Sequence, residues 1–112
     1  MSAEIEVKDG ILYITGDNFD KKTAKKVMDF FFEEHPGEKF NVILDVDKVD
    51  LGGKMRKKIL NEIIKAGLTP KIAVVDPSIK INILIKIIRS AGKKNIETFK
   101  TREEAVEFLK GD

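Results

Sequence analysis

Asp45, Asp47 and Asp50 stand close together in the chain, and Gly52-Gly53-Lys54 follows at once; Asp76-Pro77-Ser78 repeats the acidic setting further on. Carboxylates gathered in this way can hold magnesium through their oxygens. One of them can also accept a phosphoryl group if an earlier acidic pair, Asp17 and Asp20, and a later lysine, Lys100, close around it. The glycines raise a different chemistry, since the free amides at a helix start attract anions and Lys54 would add charge there. The spacing argues against a nucleotide loop. A lysine-type phosphate loop needs G-x-x-x-x-G-K-[ST] and a dinucleotide loop needs G-x-G-x-x-G, and "DLGGKM" fits neither. An aspartate at a strand end is commonly a turn former or helix cap, and Asp50 is read as a cap. His35, the only histidine, adjoins Pro36-Gly37 in a turn and has no serine–aspartate partners suggested by spacing. The chain has no cysteine, which removes thiol catalysis, disulfides and thiolate metal sites. No enzyme activity, metal or cofactor is expected.

The elements that must position these residues follow from turn chemistry and periodicity. "EIEVK-DG-ILYIT" reads as a β-hairpin, because Asp9-Gly10 favours a type I′ turn. Residues 18–34 carry helical spacing, with Ala24, Val27, Met28 and Phe31 on one face and Asn18 or Asp20 as the cap. His35-Pro36-Gly37 stops that helix. Phe40–Val46 and residues 71–75 are continuous apolar runs of the kind buried on both faces of a parallel sheet. Between them Met55, Ile59, Ile63 and Ile64 mark a second helix closed by Ala66-Gly67. A third helix starts after Asp76, with Pro77 early in its first turn, and runs to about Ala91-Gly92. Residues 95–99 form a last strand, and Thr101 with Glu104 forms a capping box for a final helix. The order β-β-α-β-α-β-α-β-α predicts an α/β fold: a mostly parallel five-stranded sheet, one antiparallel edge strand and four helices. Residues 1–112 are read as a single domain.

Lys and Arg total 21 against 19 Asp and Glu, a net charge of +2, so the one-sided field that holds nucleic acid is missing and none is expected as a partner. The N-terminus lacks a signal-peptide pattern, and the most apolar segment, 79–88, is broken by Lys80, Asn82 and Lys86, too short for a membrane span. A cytoplasmic location is expected. The Ile-Lys-Glu-rich composition hints at a warm-living or AT-rich source.

Two segments carry more apolar surface than a helix on a sheet needs. In "PSIKINILIKIIRSAG", Ile79, Ile83, Leu84, Ile87, Ile88 and Ala91 cover a broad arc, which Ile81 and Ile85 widen. In "FFF", Phe31 points inward with Phe30 and Phe32 on either side. Phe30, Phe32, Ile81 and Ile85 are therefore candidates for an apolar-ligand site or a homodimer face.

"VILDVDKVDLGGKMRKKIL", followed by "KIAVVDPSIKINILIKIIRSAGKKNIETFKTREEAVEFL", resembles the anti-sigma-factor-antagonist fold, most closely its STAS/SEC14-like (SpoIIAA-like) branch of small prokaryotic proteins. The resemblance covers nearly the whole chain. It implies a regulatory binding module that meets protein partners at the carboxyl ends of the strands, here Asp47, Asp50, Gly52, Gly53 and Lys54, with Asp76 and Ser78 nearby. Family members carry a phosphorylatable Ser or Thr in the turn before the second helix. This chain has Leu51 and Gly52 there, and no Ser or Thr from Asn41 to Leu68, so the phosphate switch does not carry over. The SEC14-like label implies an alternative, a lipid or other apolar molecule bound between helices. Anion- or metal-dependent activity at the acidic strand ends is the third reading.

Overall fold

Asp9 and Gly10 both take positive φ, 54° and 76°, as a type I′ turn requires. They join β1 (Glu4–Lys8) to β2 (Ile11–Phe19) with Lys8 opposite Ile11. The computed structural model describes residues 1–90 and 95–111, without the side chains of 79, 80, 84, 87 and 88.

β2 runs past the expected end at Thr15. Its parallel ladder with β3 (Asn41–Val49) continues until Phe19 lies opposite Val49, so each strand lengthens the other. Asn18 is consequently a strand residue and not a helix cap. Gly16, at φ 128°, allows β2 to pass the N-terminal segment: a Cβ there would lie 3.2 Å from the Ala3 Cα. The N-terminal segment is tied down just beyond, where the Ala3 amide donates to the Asn18 carbonyl at 2.8 Å.

Asp20 caps α1 (Lys21–Asp29), accepting from the Thr23 amide at 3.1 Å and from the Ser2 hydroxyl at 2.7 Å. The Ser2 bond first, then the Thr23 amide, holds the carboxyl below the ordinary carboxylate range. A folded pKa below the unfolded one gives stability that is present above about pH 3.9 and lost as pH falls through the folded value. Between about pH 5 and pH 2, Asp20→Asn should therefore lose less stability than the wild type in an acid titration. Equal losses would remove Asp20 as a contributor.

α1 continues into a π-helical turn, Phe30–Glu34, closed by the His35 amide on the Phe30 carbonyl at 2.9 Å. Its inner stripe is broader than expected. Val27 to Phe30 is an i+3 step and Val27 to Phe31 an i+4 step, so both rings are buried, while Phe32 is 40% exposed. Gly37, at φ 80°, then turns the chain toward β3.

α2 (Gly53–Ile59) also ends in a π-helical turn, Leu60–Ile64, and Gly67 at φ 78° closes it. β4 (Ile72–Val75) leads to α3 (Ile79–Ser90), and β5 (Ile96–Phe99) leads to α4 (Arg102–Lys110). Ser78 caps α3, its Oγ accepting from the Ile81 amide at 3.3 Å, so Pro77 precedes the helix and does not enter its first turn. The expected end of that helix at Ala91-Gly92 lies outside the described residues. The Thr101 hydroxyl accepts from the Glu104 amide at 3.3 Å and donates to the Glu104 carboxylate at 3.1 Å. The carboxylate thus meets the cap through its side chain.

The strands lie in the order β1-β2-β3-β4-β5, with β1 antiparallel and the others parallel. This is the α/β sheet expected from the sequence. α1, α2 and α3 share one face, over Leu12, Ile14, Val42, Val46, Ile72 and Val74. α4 lies on the other, with Ala105 and Leu109 against Ile11, Ile43, Ala73 and Val75. The neighbouring strand residues are apolar on both faces because both are covered. Polar groups fix α4 at both ends. Arg102 pairs with Asp45 at 2.7 Å, and the last carbonyls accept from Asn41 and Lys71.

Candidate functional site

Leu44 sits mid-way along β3, the central strand, on the face that carries three helices, yet it is only half-buried. Val49, Leu51, Ile59, Leu60 and Ile64 share that intermediate burial. The cause is α2. No residue of Gly53–Ile59 is buried, and only Ile63 in the turn that continues it is driven fully into the core. The helix stands off from the sheet and leaves a cavity of about 410 Å³. That volume is within the ~300–1,000 Å³ typical of small-molecule sites.

The cavity runs beside β3 from Val42 to Val49, and its wall is nearly all aliphatic, with Phe19 and Phe31 as the aromatic members. Arg56, Lys57, Lys65 and Thr69 are its polar side chains. Thr69 is 2% exposed and its hydroxyl finds no partner among the described residues. Such a group is costly to bury and suits a site that receives a hydrogen-bonding ligand or water.

A second depression of about 410 Å³ adjoins the first at the carboxyl ends of the strands. It is lined by Lys48, Asp50 and Ser78, together with Val49, Leu51, Arg56 and Ile81, four residues that also line the first cavity. The two spaces abut at these four residues, an apolar interior and, at the strand ends, a polar mouth.

Several expected site residues meet there, and others do not. Asp50 and Ser78 face the mouth, and Gly53 borders the interior. Asp47, Lys54 and Asp76 are exposed nearby and line neither space. Asp50 does not cap α2. Gly52 occupies the cap position with no side-chain bond, and the Asp50 amide instead extends the sheet by donating to Phe19 at 2.9 Å. Asp76, at φ 43°, likewise uses its amide, donating to Phe99 at 2.7 Å. The acidic cluster does not assemble, since Asp45 is held by Arg102 and no group of three metal-ligating side chains occurs among the described residues. His35 is anchored within its turn. Its Nδ1 lies 2.8 Å from Glu38, and its ring packs on Phe30 and Phe40 at 4.6 and 5.2 Å.

The candidate apolar surface also changes. Phe30, Ile81 and Ile85 are buried, so only Phe32 of that set is exposed. Ile81 and Ile85 line the cavity, being one helical turn apart on the inner side of α3. Ile83, expected on the inner arc, is 54% exposed because two steps from Ile81 carry it round to the far side. The side chains of Ile79, Leu84, Ile87 and Ile88, and all of Ala91, lie outside the described residues. Sequence reasoning missed Leu44, Val49, Leu51 and Arg56. The available signal was Arg56 itself, one guanidinium among the lysines of α2, placed a turn after the double glycine.

No family profile and no curated protein sequence matches this chain. Among solved structures it is similar to an uncharacterised protein of the DUF3478 family from Shewanella loihica PV-4, which has a SpoIIAA-like fold. The match covers 96% of this chain and 92% of that one at 10% identity, with a TM-score of 0.60. The fold is SpoIIAA-like. Within it the described residues contain no helix long and apolar enough to cross a membrane.

Proposed function

We propose that this SpoIIAA-like protein is a non-enzymatic binding module whose compartment between the sheet and helices α1–α3 takes up an apolar small molecule. The supporting observation is the half-burial of Leu44 at the centre of the sheet, beside a cavity of about 410 Å³ walled by aliphatic side chains. Apolar surface facing an empty space loses both its hydrophobic transfer energy and its dispersion partners, and a ligand would restore both. Such a wall supplies shape and hydrophobicity with only a few polar groups, the pattern of a small-molecule binding site.

The test is titration with N-phenyl-1-naphthylamine, an uncharged apolar fluorophore. Saturable binding with a stoichiometry close to one per chain is expected, together with a raised melting temperature. Absence of binding, or weak unsaturable fluorescence, would overturn the reading.

Regulatory contact with a protein partner, expected from the family resemblance, has its own support. Asp50 lines the mouth, and Asp47 and Lys54 are exposed close to it in the chain, so a partner docked at that edge would sense whether the compartment is filled. Partner capture that depends on the bound fluorophore or a competing ligand would favour this version.

A further inference from the structure

The mouth has a chemical sign. Lys48 and Arg56 line it against a single acid, Asp50, and Lys57 and Lys65 add two more cations to the wall of the apolar interior. Neither Arg56 nor these lysines have a side-chain hydrogen bond or ion pair among the described residues. The Arg56 side chain lies over the helix start, its Nη2 being 3.9 Å from where a Gly53 Cβ would stand. A bare glycine there leaves room for a small group beside the guanidinium. The Ser78 oxygen already accepts from the Ile81 amide, so its proton is left to donate across the mouth.

Resting on the apolar-binding reading, we infer that the natural occupant is a single-chain amphiphile with a carboxylate head, a long-chain fatty acid, held head-outward at the strand-end mouth by Arg56 and Ser78. The guanidinium fork matches a carboxylate, and a charge-assisted pair is stronger beside an apolar wall than in open water. The shared residues Val49, Leu51 and Ile81 carry the chain from the polar mouth into the interior. Volume selects one chain and not two. If a methylene takes about the ~30 Å³ share of a water molecule, the interior holds on the order of a dozen of them. Its lining residues on β3 reach from Val42 to Val49, a span of roughly 23 Å at ~3.3 Å per residue, which leaves length for an extended chain.

The experiment is displacement of N-phenyl-1-naphthylamine by tetradecanoate and by 1-tetradecanol, which share a chain and differ in the head. On wild type, tetradecanoate should displace the probe on the order of tenfold more tightly than the alcohol, the worth of one charge-assisted pair. Arg56→Gln should bring that ratio close to one, and Ser78→Ala should reduce it by less. Arg56 is exposed and unpaired, so the glutamine variant is expected to keep its circular dichroism spectrum. Equal affinities on wild type, or a ratio unchanged by Arg56→Gln, would overturn the carboxylate assignment while leaving the apolar site standing. A failure of both chains to displace a bound probe would do the same. Tighter displacement by a two-chain anionic phospholipid would overturn the single-chain assignment. If the uncharged probe itself does not bind, the cavity reading falls first and this one with it.

Discussion

Phe31→Ala is expected to lower unfolding free energy by about 3–5 kcal/mol, against a total of ~5–15 kcal/mol for a domain of this kind. The ring is 1% exposed, meets Phe30 edge-on at 5.2 Å and lies 6.3 Å from Phe40. Truncation removes its transfer energy and its aromatic contacts. It also removes part of the cavity wall, because Phe31 borders the existing space. Neighbours cannot collapse easily into the gap, since Phe30 and Phe40 are already packed on one another at 4.9 Å. The control is Phe32→Ala. That ring is 40% exposed, and its removal should cost within about 0.5 kcal/mol. Urea denaturation measures both, and equal costs for the two substitutions would show the inner face of α1 to be wrongly assigned.

Leu44→Trp should weaken binding of the uncharged fluorophore by on the order of tenfold or more, as a side chain takes the ligand's place. Its effect on stability decides between two states of the core. Enlarging a side chain in a well-packed interior costs about 1–3 kcal/mol. Filling a real void instead stabilises by about 0.5–2 kcal/mol. Leu44 is half-buried on a covered face, with roughly 410 Å³ of space before it, so the second sign is expected. A destabilised variant that still binds the probe would mean that the compartment closes in solution and the ligand site lies elsewhere. If binding is lost and the midpoint rises, the void and the site are the same place.

The order of elements was readable because it depends on local chemistry. Asp9-Gly10 demands a tight turn, His35-Pro36-Gly37 cannot continue a helix, and Thr101 with Glu104 caps one. Apolar runs at 40–46 and 71–75 called for strands covered on both faces. Strand ends were less legible. β2 and β3 run on to Phe19 and Val49 because each supplies the other's hydrogen-bond partners, and that pairing joins residues some thirty positions apart. The fate of Asp50 was misread for the same reason. Asp50 extends the β2–β3 pairing through Phe19, which leaves the cap position of α2 to Gly52, two residues further on.

The candidate site was half visible. Asp50, Gly53 and Ser78 were placed at the carboxyl ends of the strands by the rule that ligands meet parallel sheets there, and that is where they lie. Ile81 and Ile85 were recognised as apolar excess and named for either an apolar-ligand site or a homodimer face, and they line an interior. The sequence by itself determined which residues are apolar, where the chain must turn and which helices follow which strands, since these depend on neighbours within a few positions. How far α2 stands from the sheet was decided only in three dimensions. That distance is set by the contact of α2 with α1 and by the way Met55, Ile59 and Ile63 meet the shared core, a balance among side chains remote in the chain. The same distance turns Leu44 from a core residue into a cavity wall and puts Arg56 and Ser78 in the lining of one mouth.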